Sequence, residues 1–148
     1  MPIFGIPENR FPASVRPSAY GIVVGDAGKI ALVRTPQGVY LPGGGIEGGE
    51  TPDAAVVREV REEAGLVVRL GAWRRTAIEH VSSVTEQAQF EKRSTFRDAR
   101  VVAVASDATD VDHELVWLPA DEAAGRLTPL SHRWALDEWH ASGSRIDQ

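Results

Sequence analysis

Gly44-Gly45-Ile46-Glu47-Gly48-Gly49-Glu50-Thr51-Pro52-Asp53-Ala54-Ala55-Val56-Val57-Arg58-Glu59-Val60-Arg61-Glu62-Glu63-Ala64-Gly65-Leu66 carries more local information than any other stretch of this chain. With Pro42 and Gly43 before it, the segment opens as a glycine-dense loop and continues as a helix. Thr51 can cap that helix through its hydroxyl, Pro52 suits the first helical position, and Asp53 favours the positive end of the dipole. Gly65 suits the left-handed residue that ends a helix. These signals predict a helix over 52–64.

At about 100° per residue, Val56, Val60 and Ala64 share a stripe with Val57 beside it, and this stripe is expected to face the core. Glu59, Glu62 and Glu63 fall within an arc of about 100° on the adjoining face. Carboxylates this close repel by about 0.2–0.5 kcal/mol per pair, so a positive group is expected among them. Arg58, four residues before Glu62, could supply it within the helix, although the Arg-first order is the weaker one. A cation from solution could supply it instead, and the helix pattern alone does not decide. The glycine loop favours the cation, because glycines let backbone carbonyls and N–H groups approach a metal or phosphate closely. Clustered oxygen ligands suit Mg²⁺. Such an ion would neutralise charge on a diphosphate and help to form the attacking hydroxide.

A chain of 148 residues with 43% hydrophobic and 25% charged residues is an ordinary globular domain, large enough for one sizeable core. No apolar run approaches the ~18–20 residues of a membrane span. The first 17 residues lack an apolar h-region, so no signal peptide is expected, and a cytoplasmic location is the expectation. With no cysteine, disulfides, a thiol nucleophile and zinc–thiolate sites are excluded. A net charge of −5 argues against a nucleic-acid polymer as partner, since such proteins carry a positive surplus. It leaves open a phosphorylated small molecule bridged by a divalent cation. His80, His113, His132 and His140 show no metal-ligand spacing.

Working outward, residues 1–17, with prolines at 2, 7, 12 and 17, read as an extended arm over the body or a partner subunit. Residues 18–148 read as a single domain. Strands are expected at Ala19–Val24 and Ile30–Arg34, with turn chemistry in Asp26-Ala27-Gly28 between them. Thr35-Pro36-Gln37-Gly38 is a further turn. More strands are expected at Leu66–Leu70, Trp73–His80, Arg97–Ala105 and Leu115–Leu118. A short helix from Pro119 to Ala124 closed by Gly125, and a last helix capped by Ser131 and burying Ala135, Leu136 and Trp139, complete the pattern. Helices interspersed with strands indicate a mixed sheet between helices.

The loop–helix segment resembles the Nudix hydrolase superfamily, of which MutT-like pyrophosphohydrolases are one branch. The family pattern is G-x5-E-x7-R-E-U-x-E-E-x-G-U, with U a bulky aliphatic residue. Gly44, Glu50, Arg58-Glu59-Val60, Glu62-Glu63 and Gly65-Leu66 fill every defined position. The resemblance implies an α/β (α+β) fold, an α/β/α sandwich with the box as a loop–helix–loop on a mixed β-sheet. It implies a metal-dependent pyrophosphohydrolase using Mg²⁺ or Mn²⁺. Glu59 and Glu63 would be principal metal ligands, with Glu62 a third ligand or the water-activating base, and the Gly43 carbonyl a further ligand. Glu50 and Arg58 would form a buried pair holding loop to helix, with Gly44 and Gly65 as structural glycines of the box. Family members often take a general base from a loop outside the box; Asp107, Asp110, Asp112 and Glu114 are candidates, Glu114 preferred. The resemblance also admits a homodimer.

The substrate is less legible. No proline occurs between Pro52 and Pro119, the only tyrosines are Tyr20 and Tyr40, and cysteine is absent. Marks of the ADP-ribose, diadenosine-polyphosphate and isopentenyl-diphosphate-isomerase branches are therefore missing, which favours a generic nucleoside di- or triphosphate derivative. Tyr20, Trp73, Phe90, Phe96 and Trp117 are candidates for stacking on a base, although aromatics dominate core packing. Lys92-Arg93-Ser94-Thr95-Phe96-Arg97 combines cations with a ring and suits phosphate and base binding, Arg93 and Phe96 in particular. A charged, protected sheet edge explains that segment equally well. A non-catalytic nucleotide-binding module is the alternative function, and an RNA-end processing enzyme a third.

Overall fold

Two long strands run side by side through the centre of the structure, a computed structural model that describes residues 1–8, 10–105 and 112–143. Strand β2 (Ala13–Val24) lies parallel to β7 (Ala88–Val104), in register from Ala13 opposite Gln89 to Val24 opposite Arg100. A parallel pair needs a long crossover. Here it passes through β3 (Ile30–Thr35), β4 (Gly38–Tyr40), β5 (Gly43–Gly45), helix α1 (Pro52–Ala64) and β6 (Leu66–Ser83). Strand β6 returns antiparallel to β7, and β1 (Ile3–Phe4) adds parallel to β6 at the outer edge. After β7 come β8 (Glu114–Leu118), α2 (Ala120–Arg126) and α3 (Leu130–Ala141). The order across the sheet is β1-β6-β7-β2-β3-β4, with β5 also on β2 and β8 on β3.

The period-two alternation of these strands separates two cores. Tyr20, Ile22, Ile30, Leu32 and Phe96 face α2 and α3, where they pack on Leu127, Leu136 and Trp139. Ala19, Val23, Ala31 and Ala99 face α1 and meet Val56 and Val60. The fold is therefore the expected α/β/α sandwich, a mixed sheet with helices on both faces. Among the described residues no helix is long and apolar enough to cross a membrane.

Several elements depart from the sequence reading, each for a local reason. Leu66–Leu70 and Trp73–His80 are one strand, interrupted by an irregularity between Leu70 and Arg74. Side chains of β7 satisfy the backbone groups freed there: Arg97 donates to the carbonyls of Gly71 (2.7 Å) and Trp73 (3.2 Å), and Asp98 accepts the Trp73 N–H (3.1 Å). Strand β7 begins at Ala88 rather than Arg97, because Gln89, Glu91, Lys92 and Arg93 disguise it as polar. The Lys92–Arg97 segment is consequently no sheet edge; it lies between β6 and β2. Gly125 lies inside α2 rather than ending it. Ser131 lies inside α3, which starts at Leu130, and the Glu79 carboxylate on β6 accepts both its N–H (3.0 Å) and its hydroxyl.

The N-terminal segment is tied to its own sheet. Ile78 N–H donates to Pro2, Gln89 reaches the Phe11 carbonyl (2.8 Å), and Phe4 meets Trp134 with ring centroids 6.1 Å apart. Strand β2 begins at Ala13, inside the stretch read as an arm.

Asp98 is 2% exposed and also accepts the Trp139 indole N–H at 3.1 Å, so it joins the bulge to α3. Asp98→Ala leaves two buried donors without an acceptor and is expected to lower the unfolding free energy by about 3 kcal/mol. Urea denaturation at neutral pH checks this, and a loss below about 1 kcal/mol would show that the junction is not needed.

Candidate active site

Helix α1 occupies Pro52–Ala64, as the sequence predicts, with the Thr51 hydroxyl accepting the Ala54 N–H at 3.1 Å. Gly65 ends it in the left-handed region (φ 69°), its N–H bound to the Arg61 carbonyl at 3.0 Å. The buried face is rotated from the expected stripe: Ala55, Val56 and Val60 are buried, whereas Val57 is exposed. On a wheel of about 100° per residue this centres the buried arc between Val56 and Glu59. Glu59 and Glu63 thus belong to the inward face. Their side chains are only 18% and 12% exposed, against 44% for Glu62.

Strand β5 and the loop after it meet these carboxylates. Gly43 N–H donates to Glu63 Oε1 at 2.9 Å. A Cβ on Gly44 would stand 2.8 Å from the Glu59 carboxyl carbon, so the loop backbone rests directly on that group. Gly43 has no room for a side chain either, because a Cβ would overlap the Ala19 carbonyl and Tyr20. Gly43 is therefore required by its close approach to backbone, whereas a side chain at Gly44 would displace the Glu59 carboxylate.

Arg58 organises the cluster. Its Nε and Nη2 grip the two oxygens of Glu50 at 2.7 and 3.0 Å, while Nη1 reaches Glu59 Oε1 at 3.0 Å and Glu62 Oε2 at 3.1 Å. Nη2 also donates to the Gly45 carbonyl at 3.1 Å. The fork on Glu50 is the charge-assisted, planar arrangement that only arginine offers. Hydrogen bonding from Arg58 first, then the Glu47 backbone, holds the Glu50 carboxyl down at about 2, and the Arg58 pKa is raised chiefly by Glu50. The sequence placed Glu50 and Arg58 together and left open whether the positive group was Arg58 or an external cation. Here Arg58 fills that position, Glu62 included, in spite of the weaker helical order.

The NUDIX domain family matches residues 15–141, spanning the box, helices α1 to α3 and the sheet apart from β1 and the start of β2. The chain belongs to the Nudix family. It is 30% identical over 135 residues to a MutT-like protein of Streptomyces ambofaciens, covering 87% of this chain and 80% of that one. It is 33% identical over 98 residues to diphosphoinositol polyphosphate phosphohydrolase 3-alpha of Mus musculus, covering 64% of this chain; the match spans 55% of the mouse protein, about half its length. Among solved structures, a Nudix hydrolase from Nitrosomonas europaea superposes with a TM-score of 0.64 at 21% identity, over 87% of this chain and 90% of that one.

The remaining site expectations for this Nudix protein fare unevenly. Phe96 is fully buried in the α2/α3 core, stacked on Tyr20 at a centroid distance of 5.8 Å, so it offers no face to a ligand. Tyr20, 6% exposed, is mostly core as well, although its edge lines a groove beside the box loop. Arg93 is exposed and pairs with Glu91 at 2.6 Å. By strand alternation it points to the α1 side, as Thr95 and Arg97 do. Glu114 does not reach the cluster: Leu115 and Trp117 pack toward α1 and Val116 and Leu118 toward α2 and α3, which puts Glu114 on the far face. It pairs there with Arg34 at 3.3 Å. Asp107 and Asp110 lie outside the described residues.

Two residues that spacing did not single out matter here. His113 Nδ1 approaches Glu63 Oε2 at 3.1 Å, because it precedes β8 on the alternation that faces α1. His132 on α3 is wholly enclosed, and its Nδ1 accepts the Leu41 N–H at 3.1 Å, just ahead of the box. A cavity of about 700 Å³ lined by Leu66, Arg100 and Trp117 contains none of the carboxylates. A smaller groove of about 290 Å³ carries Gly44, Gly45 and Ile46, and it is the one that adjoins the chemistry.

Two outcomes follow from this geometry. Arg58→Ala releases Glu50, Glu59 and Glu62 together and is expected to weaken Mg²⁺ affinity and turnover by about 10–100-fold while the fold persists. Calorimetric metal titration and circular dichroism read both, and unchanged affinity would contradict the positioning role. Burial first, and Lys92 second, hold His132 down at about 3 from 6.5, so it is neutral when folded. The unfolded chain takes up its proton near 6.5, and stability is expected to fall as pH drops from 6.5 toward 3. His132→Gln should flatten the melting temperature over that window; an identical pH profile would remove His132 as the cause.

Proposed function

We propose that this Nudix protein hydrolyses a diphosphate linkage in a nucleoside di- or triphosphate derivative with the help of Mg²⁺ or Mn²⁺. The observation that carries the reading is the placement of Glu59 and Glu63 against the Gly43–Gly44 backbone, with Arg58 locking helix to loop. Family membership supports it, as do the names of the mouse and Streptomyces relatives, a phosphohydrolase and a MutT-like protein.

Among the described residues no three His, Cys, Asp or Glu side chains already form a cation cage. The donor chemistry nonetheless fits a hard divalent ion. Glu59, Glu62 and Glu63 supply oxygens, and the glycine loop leaves the Glu59 carboxylate in contact with backbone that a side chain would displace. Glu59 and Glu63 would hold the ion, with the Gly43 carbonyl as a further ligand. A bound ion would screen the diphosphate oxygens and favour an ionised water. Glu62 is the most exposed of the three and is the group proposed to take the proton from the attacking water. Arg58 keeps the carboxylates oriented, so catalysis here is mainly positional and electrostatic. Water attack on one phosphorus would release a nucleoside monophosphate and a second phosphorylated product. A small nucleotide-like molecule, rather than a nucleic-acid polymer, is the proposed partner.

The test is a panel of nucleoside triphosphates, oxidised nucleotides and nucleotide sugars with Mg²⁺, Mn²⁺ or EDTA, products being separated by chromatography. Metal-dependent monophosphate release that drops at least about 100-fold in Glu62→Gln and Glu63→Gln is expected. Silence across the panel, with nucleotides still raising the melting temperature, would establish a binding module instead.

A further inference from the structure

Arg58 cannot hold every carboxylate of the cluster. A guanidinium carries five N–H donors. Here Nε goes to Glu50, the two of Nη1 to Glu59 and Glu62, and the two of Nη2 to Glu50 and the Gly45 carbonyl. Glu63 therefore depends on other groups. It lies in the last turn of α1, where the negative end of the helix dipole makes a carboxylate less favourable. Its Oε1 accepts the Gly43 N–H at 2.9 Å. Its Oε2 stands 3.1 Å from His113 Nδ1, in a pair whose side chains are only 12% and 26% exposed.

The position of His113 is set by the sheet. Strand β8 is registered on β3 from Glu114 opposite Arg34 to Leu118 opposite Ile30. Leu115 and Trp117 pack toward α1, and alternation places His113 on that same face. Its Nδ1 is shut off from solvent there. An acceptor-only carboxylate at this distance favours the tautomer with the proton on Nδ1. The box loop thus meets one oxygen of Glu63, and the residue ahead of β8 meets the other. Because the terminal torsion of a glutamate is broad, contacts at both oxygens define the carboxylate plane in a way that one contact does not.

We propose that His113 is a positioning residue of the metal site and acts through Glu63. The proposal rests on the reading of Glu63 as a metal ligand. In this role His113 touches neither ion nor substrate. It sets the orientation in which Glu63 meets a divalent ion, as groups bonded to ligating carboxylates do in general.

Mn²⁺ binding without nucleotide, with the free ion counted by electron paramagnetic resonance, tests this apart from turnover. His113→Ala is expected to weaken the affinity about tenfold, the lower end of the effect of such partners. His113→Asn, whose amide N–H can stand near the place of Nδ1, should retain it, and Glu114→Gln on the far face should leave it unchanged. In a Glu63→Gln background His113→Ala should add nothing, because its route to the ion runs through that carboxylate. In turnover assays His113→Ala should lose about tenfold at limiting Mg²⁺ and recover at saturating Mg²⁺, with KM for the nucleotide unchanged. Wild-type affinity in His113→Ala, equal losses in the Ala and Asn variants, or the full loss in the Glu63→Gln background overturns the proposal. So does a wild-type protein that binds no Mn²⁺. Mn²⁺ binding that depends on His113, in a protein that hydrolyses nothing, sustains the proposal and removes the hydrolase reading.

Discussion

The guanidinium of Arg58 is the point on which the site depends. Glu50 comes from the loop, and Glu59 and Glu62 from the helix, and all three meet one planar cation. Without it the carboxylates would repel one another, and the glycine loop, which has few side chains of its own to pack, would have little to hold it on the helix. Lysine could neutralise one carboxylate but could not span the others in a fixed fork. Charge thus adds to the β5–β2 pairing and the packing of Ile46 on the α1-side core in fixing the loop.

The sheet gives that cluster a back wall. Parallel pairing of β2 with β7 forces a long crossover, and the crossover delivers β5 and α1 to the middle of β2, where Ala19 and Tyr20 pair with Gly44 and Gly43. On the other face, His132 receives the Leu41 N–H immediately before those glycines. The box is consequently anchored from both layers: α1 on one side, a neutral buried imidazole from α3 on the other. Protonating that imidazole inside the core would cost both the hydrogen bond and the desolvation of a charge.

Charge is distributed by face as well. The carboxylates gather on the α1 side, while Arg16 and Lys92 share the α2/α3 side of the same strands.

The sequence by itself determined the 52–64 helix with its Thr51 and Gly65 caps, the Glu50–Arg58 pair and the glutamate cluster. All of these depend on spacings of a few residues that helix geometry converts directly into neighbours. It also determined the layered α/β class, through period-two strands alternating with helical stretches. Only the tertiary structure decided which glutamates face inward, because the helix is rotated so that Ala55 is buried and Val57 exposed. It alone showed β7 to be central in spite of its charges, since a strand flanked by long polar side chains carries no hydrophobic signal. It removed Phe96 to the core and Glu114 to the far face, and brought His113 to Glu63 and Lys92 opposite Arg16. Those pairings join residues far apart in the chain, and they are set by strand register, which no local pattern contains.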